Sequence, residues 1–318
     1  MDNIATSIKK NIRLPQRSSL LARIIKHRYL YLMILPGMVF FLIFNYAPLY
    51  GIQLAFKKFM YSEGISGSPW IGLKNFQQLW LDREFYVVVK NTMSISFGKI
   101  LSAFPAPIIL ALLLNELKNK KYKSIIQSVL YLPHFLSWVI VAGLIYNLIS
   151  VTNGVVAKVL ADIFQVQQPM IIGNPQYFRL LVYWSNVWKT AGWGTIIYLA
   201  AISGIDASLY ESAIIDGANR FKQMLYITIP SLSYAIVILL ILSIGQVMNA
   251  GFDQIFNLYD PGVYKVGDII DTYVYRIGIQ NAKFEFSTAA GLFKSVINCV
   301  LLLSANWIAK RLGHSGIY

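Results

Sequence analysis

Apolar runs longer than about 18 residues recur along this chain, and a run of that length is what a helix needs to cross a bilayer. Six are read, at 29–56, 91–114, 124–149, 180–203, 225–248 and 287–309. Each can cover about 30 Å of hydrocarbon at about 1.5 Å of rise per residue. The expected fold is therefore all-α: a polytopic membrane bundle of six transmembrane helices. Composition agrees. The 318 residues are 56% hydrophobic and 13% charged, with a mean hydropathy of +0.55, whereas soluble domains carry about 25% charge. A soluble helical core does not explain runs this long. Pro36 and Pro48 predict that the first helix bends or starts late.

The net charge of +14 does not point to nucleic acid, because the charges fall between the apolar runs. They report topology instead. Seven lysines and arginines precede the first run, and four more stand at Lys118, Lys120, Lys121 and Lys123. With Arg220, Lys222, Lys310 and Arg311, fifteen lie on the N-terminal side of the membrane against nine on the other. Both termini are thus expected in the cytoplasm. The chain divides into a basic cytoplasmic tail (1–28), a six-span domain (29–309) with a cytoplasmic loop at 204–224, and a cytoplasmic C-terminal tail (310–318). The outer loop 57–85, with its "GISGSPWIG", is expected to fold over the outer face. Lys99, Lys189 and Lys294 fall inside spans. Intramembrane charge is costly, so they line a polar path or bond to a neighbouring helix.

Several chemistries find no support. No G-x-x-x-x-G-K-[ST] stretch is present to cradle a phosphate. His27, His134 and His314 are too scattered to ligate one metal, and no residue set pairs a nucleophile with a base. No catalytic or metal-binding residues are therefore assigned. Cys299 stands alone, so no intrachain disulfide is expected. The first run is too long for a signal-peptide core and lacks a small-residue cleavage site.

The loop between the fourth and fifth runs stands out. "ESAIIDGANRFKQMLYITIP" (211–230) is short and half polar, so it reads as a helix lying across or protruding from the ends of the bundle. Ser208 and Glu211 have the spacing of a capping box. Ala213, Gly217 and Ala218 are small enough to let another surface approach, and Gly217 can end the helix at low cost. An ordinary connecting helix fits these features equally well.

The same stretch resembles the EAA loop of binding-protein-dependent ABC importer permeases. That pattern runs E-A-A, D-G-A and I-x-L-P. Here it stands as Glu211-Ser212-Ala213, Asp216-Gly217-Ala218 and Ile227-Thr228-Ile229-Pro230, with Ser and Ile as mild departures. "APLYGIQLAFKKF" (47–59), "WIGLKNF" (70–76), the segment 111–144 and the C-terminal "GHSGIY" look like the sugar-type branch, for oligosaccharides and polysaccharide fragments. The resemblance implies the MetI-like permease fold, a core from spans two to six and a first helix leaning on a partner. It assigns Glu211, Ser212, Ala213, Asp216, Gly217, Ala218, Ile227 and Pro230 to a coupling helix docked on an ATPase. It implies a cell-membrane complex with a second permease subunit, two ATPase subunits that bind ATP and Mg, and a solute-binding lipoprotein. No cofactor is expected in this chain.

Saccharide sites combine aromatic faces with amide and hydroxyl groups. Trp184, Asn186, Trp188 and Trp193 in the fourth run, and Gln246 and Asn249 at i, i+3 in the fifth, are the candidates, chiefly Asn186, Trp188, Gln246 and Asn249. The tryptophans also fit an interfacial belt, and the amides fit inter-helix bonding. A permease for a non-sugar solute shares the same loop. An ion-coupled transporter is disfavoured because no span has an acid at its middle.

Overall fold

The computed structural model describes residues 26–150, 154–164 and 171–313. Most of both tails, including the "HSGIY" end, lies outside the described residues. The chain divides into two compact units between Gln53 and Leu54.

In the first unit, α1 (Arg28–Phe41) passes through a π turn (Leu42–Tyr46) into a 3-10 segment (Ala47–Phe56). Pro36 sits inside α1, and Pro48 follows the start of the tighter turn. Proline removes an N–H donor, so the helical pitch changes there and the segment runs on. Large apolar side chains from Tyr29 to Tyr50 are exposed. A helix apolar on all sides suits lipid or a partner.

The second unit begins with a clasp between two of the motif stretches. The Asn75 amide donates to the carbonyls of Ala55 and Lys57 at 2.9 Å each. Lys57 Nζ is buried beneath the loop 60–70, bonds to the carbonyls of Ile65 and Ser66, and lies 4.9 Å from the Trp70 ring. The loop is therefore packed. Helix α2 (Lys74–Leu81) follows, and its Trp80 meets Phe293 of the last helix.

The second span joins α3 (Arg83–Ala103) to α4 (Pro105–Glu116), 34 residues in all. Asp82 caps its start. The third span departs from the continuous helix expected over 124–149. Helix α5 (Lys120–Tyr131) gives way to a 3-10 turn (Leu132–Phe135), and α6 (Trp138–Ile149) leaves at 101°. Pro133 withholds an N–H, and Ser137 caps the new helix by accepting from Ile140 N. The fourth span is α7 (Pro175–Ser203), 29 residues or about 43 Å, started by Asn174 and a proline in its first turn. Helix α8 (Ala207–Ile215) then turns away by 72°.

The fifth span is also broken. A short turn (Arg220–Gln223), a π turn (Met224–Thr228) and Ile229–Ser231 precede α9 (Ser233–Gly245), with a 56° bend. The helix ends at Gly245, three residues before the expected boundary. The last span is α12 (Phe284–Arg311), with Lys310 and Arg311 in its final turn, where cations offset the helix dipole. Counting each bent pair as one, six spans are present among the described residues.

The connection 246–283 is no surface loop. It contains α10 (Phe252–Leu258) and α11 (Ile270–Val274), and it supplies fully buried Ile255, Ile269, Ile270 and Tyr273. Polar groups fasten it to the spans. Arg179 donates to Val266 O, Ser94 Oγ and Asn91 Oδ1, while the Asn91 amide donates to the carbonyls of Lys265 and Asp268. Gln254 Nε2 reaches Val182 O and Ser185 Oγ on α7.

Candidate functional site

The first site is the turn around α8. Its start differs from the capping box expected at Ser208 and Glu211. Asp206 is the N-cap, and its carboxylate accepts from Ser208 N at 2.9 Å. Those bonds from Ser208 hold the Asp206 carboxyl below its usual value. The helix therefore begins two residues earlier than the spacing suggested, because Asp satisfies the free first-turn donors as well as Ser does. Ser208 accepts at its carbonyl from Ser212 Oγ. Glu211, released from capping, is exposed and has no bonding partner among the described residues.

The C-terminus closes as a Schellman motif. Ala218 N bonds to Ala213 O at 2.8 Å and Gly217 N to Ile214 O at 3.0 Å. That closure needs a left-handed residue, and Gly217 has φ of 74°. A Cβ at Gly217 would meet no atom within 4 Å, so open space lies before it. Ile214 and Ile215 are 61% and 86% exposed, and Ser212 and Asp216 are exposed beside them. Ala213 and Ala218 are half-buried. The site is an exposed apolar helix tip beside a free carboxylate.

Three bonds hold it to the bundle. Tyr210 and Thr228 share a hydroxyl bond at 2.9 Å, Gln223 Nε2 donates to Ala218 O at 2.8 Å, and Arg220 pairs with Glu116 at 2.9 Å. Ile227 lies in the π turn and Pro230 just after it. Pro230 cannot donate in the helical ladder, and the wider turn precedes it. These two residues shape the helix behind the tip and are not part of the tip itself.

The second site is an open cavity of ≈ 520 Å³ walled by α3, α4, α7 and α9. Gln246 lines it, together with Lys99, His134, Thr190, Trp193 and Ser243. Gln246 and Asn249 are exposed in the turn after α9 and bond to one another, Asn249 Nδ2 donating to Gln246 Oε1. Their pairing comes from the turn and not from a shared helix face. Asn186 and Trp188 do not line the cavity. The Asn186 carbonyl accepts from Thr190 Oγ1, and Trp188 is half exposed elsewhere on α7. The aromatic that does line it is Trp193, stacked on His134 at 4.6 Å and nearly parallel. In sequence Trp193 was one of several tryptophans. Its selection depends on the break at Leu132–Phe135, which brings His134 against α7.

The intramembrane lysines all find partners. Lys189 donates to the carbonyls of His134 at 2.7 Å and Pro133 at 3.4 Å, both in the turn at the break, where Pro133 O also accepts from Leu136 N. Lys294 pairs with Asp271. Lys99 donates to Ala250 O at 2.5 Å, beside Gly251 at φ 93°.

The structure is a membrane-type bundle with an exposed, glycine-closed helix tip between its fourth and fifth spans, and its class, as the family match shows, is that of transporter permeases fed by binding proteins. Residues 103–314 match the family described as binding-protein-dependent transport system inner membrane component, and the chain belongs to that family. It is 42% identical to the polygalacturonan/rhamnogalacturonan transport system permease protein YteP of Bacillus subtilis, over 95% of this chain and 94% of that one. It is 40% identical to Protein LplB of the same organism, over 94% of each. A chain of a bacterial alginate ABC transporter, crystallised with an alginate pentasaccharide-bound periplasmic protein, superposes with a TM-score of 0.85. That chain is 39% identical, and the match covers 94% of this chain and 99% of that one.

Proposed function

We propose that this chain is the permease subunit of an ATP-driven importer for oligosaccharides or polysaccharide fragments delivered by an extracytoplasmic binding protein. The observation that carries the reading is 42% identity, almost end to end, with a permease for polygalacturonan and rhamnogalacturonan. The alginate transporter complex supports delivery by a binding protein. ATP and Mg would bind two separate ATPase subunits, and a second permease would complete the passage. Glu211, Ser212, Ala213, Asp216, Gly217 and Ala218 would form the docking tip. Ile227 and Pro230 would support it from the following span. Docking suits the geometry: Ile214 and Ile215 offer apolar area, while Glu211 is free to accept a charge-assisted bond from a basic residue.

The mechanism follows from rigidity. Capped at both ends, continuous with the fourth span and tied to Thr228 of the fifth and Glu116 of the second, the tip would move as one body with those spans. Closure of the ATPases would move those spans and so reshape the cavity. ATP biases the change only through its different affinity for the two states. On the other side, Gln246, Asn249 and Trp193 would present amides and a ring face to sugar. The test is reconstitution in liposomes with the partner permease, ATPases and binding protein. ATP-dependent uptake of defined oligosaccharides is expected. Uptake of peptides or metal chelates in their place would overturn the saccharide reading.

A further inference from the structure

The cavity contains an ammonium that no carboxylate neutralises. Lys99 takes part in none of the ion pairs among the described residues. Its one bond goes to the Ala250 carbonyl. The other two span lysines differ. Lys294 has Asp271, and Lys189 divides its donors between two carbonyls and lies 5.6 Å from the Trp138 ring. An ammonium has three N–H donors, and two of Lys99's have no protein acceptor among the described residues. No acidic side chain lines the cavity; its other polar lining is His134, Thr190, Trp193, Tyr198, Ser243 and Gln246. Half-buried in the cavity wall, a cation with no carboxylate beside it attracts an anion more strongly than it would in bulk water. A volume of ≈ 520 Å³ is ample for a small-molecule site.

We propose that Lys99 recognises the carboxylate of an acidic, uronate-type saccharide in transit, while Trp193 takes a ring face and Gln246 a hydroxyl. This rests on the saccharide reading and narrows it. It accords with the relatives: polygalacturonan is a polyuronate, and a solved transporter 41% identical to this chain imports the acidic polysaccharide alginate.

The test uses the complete complex in liposomes with wild type, Lys99→Gln and Lys99→Arg. Uptake of a uronate trisaccharide is compared with uptake of the same trisaccharide after its carboxyls are reduced to alcohols. Both are supplied at concentrations that saturate the binding protein. Lys99→Gln is expected to lower acidic uptake at least tenfold and neutral uptake less than twofold, and Lys99→Arg to keep most acidic uptake. Equal losses for both sugars would overturn the proposal and leave Lys99 as a brace for Ala250. Unchanged acidic uptake would overturn it as well. Should Lys99→Gln fail to assemble, competition on the wild type decides: a neutral trisaccharide that displaces the acidic one at equal concentration would overturn it. Transport of neither sugar by the wild type would reject the saccharide reading itself.

Discussion

Gly217 separates a local role for the tip from docking on a partner. Its φ of 74° places it in the left-handed region, and it closes α8 through the Ala218 N to Ala213 O bond. An alanine there costs about 1–2 kcal/mol in backbone strain. Asparagine tolerates the same conformation and is used at this cap position, so Gly217→Asn should keep the closure. An alanine methyl meets no atom of this chain, and an asparagine side chain starts into the same open space, because no atom lies within 4 Å of the Cβ position. A purely local role therefore predicts a small defect for Gly217→Ala and almost none for Gly217→Asn. Docking predicts the reverse order, since the larger asparagine would stand in the space a groove wall must approach. We expect Gly217→Asn to fold with wild-type thermal stability but to weaken ATPase association at least fivefold. Co-purification of the ATPase and hydrolysis stimulated by loaded binding protein are the two readouts. Wild-type association and stimulation in Gly217→Asn would refute the docking argument.

Other expectations follow from individual bonds. Lys189→Met leaves the Pro133 and His134 carbonyls without their cation; a loss of about 1.5–3 kcal/mol should appear as a lower melting temperature in detergent. Glu116→Ala removes an exposed ion pair with Arg220 and should change stability by less than about 1 kcal/mol in the same measurement. The Asp206 carboxyl titrates below its usual 3.8, so its cap is fully present above that pH and is lost as pH falls through the lower folded value. Exchange protection of the Ser208 amide should follow that titration, and Asp206→Asn should make the protection independent of pH. In a Cys299→Ser background, Ser66→Cys, Gly173→Cys and Gly262→Cys should label from outside the cell; labelling only from the cytoplasm would invert the topology.

How much was legible depends on the kind of constraint. Run length and the loop at 204–224 were readable, because span length is set by the bilayer and the tip motif is local. The breaks were half readable. Pro133 and Ser137 stand in "YLPHFLSW" as a stop and a cap, yet hydropathy continues across them, so the run looked continuous. The error at Ser208 is of another kind. Asp206 and Ser208 are both good caps two residues apart, and the outcome turns on where Gly204 ends α7. The connection 246–283 was missed because its burial depends on Asn91 and Arg179, groups far away in sequence.

The lysines show how the two kinds of information combine. A charge inside a span predicts a polar partner but not its identity. For Lys189 the partner is a pair of carbonyls in the turn where the neighbouring span breaks, so the lysine's partner exists only because of the break. For Lys99 it is the carbonyl before Gly251, and a Cβ at Gly251 would come within 2.8 Å of Lys99 Nζ. Its φ of 93° is what requires glycine there, and an added Cβ would push the flexible end of Lys99 aside. Gly251→Ala should thus disturb the cavity through Lys99, whereas a glycine needed for the turn alone would disturb only α10. Restoration of neutral-trisaccharide uptake to Gly251→Ala by Lys99→Gln, which clears the added Cβ and spares neutral uptake, would distinguish the two.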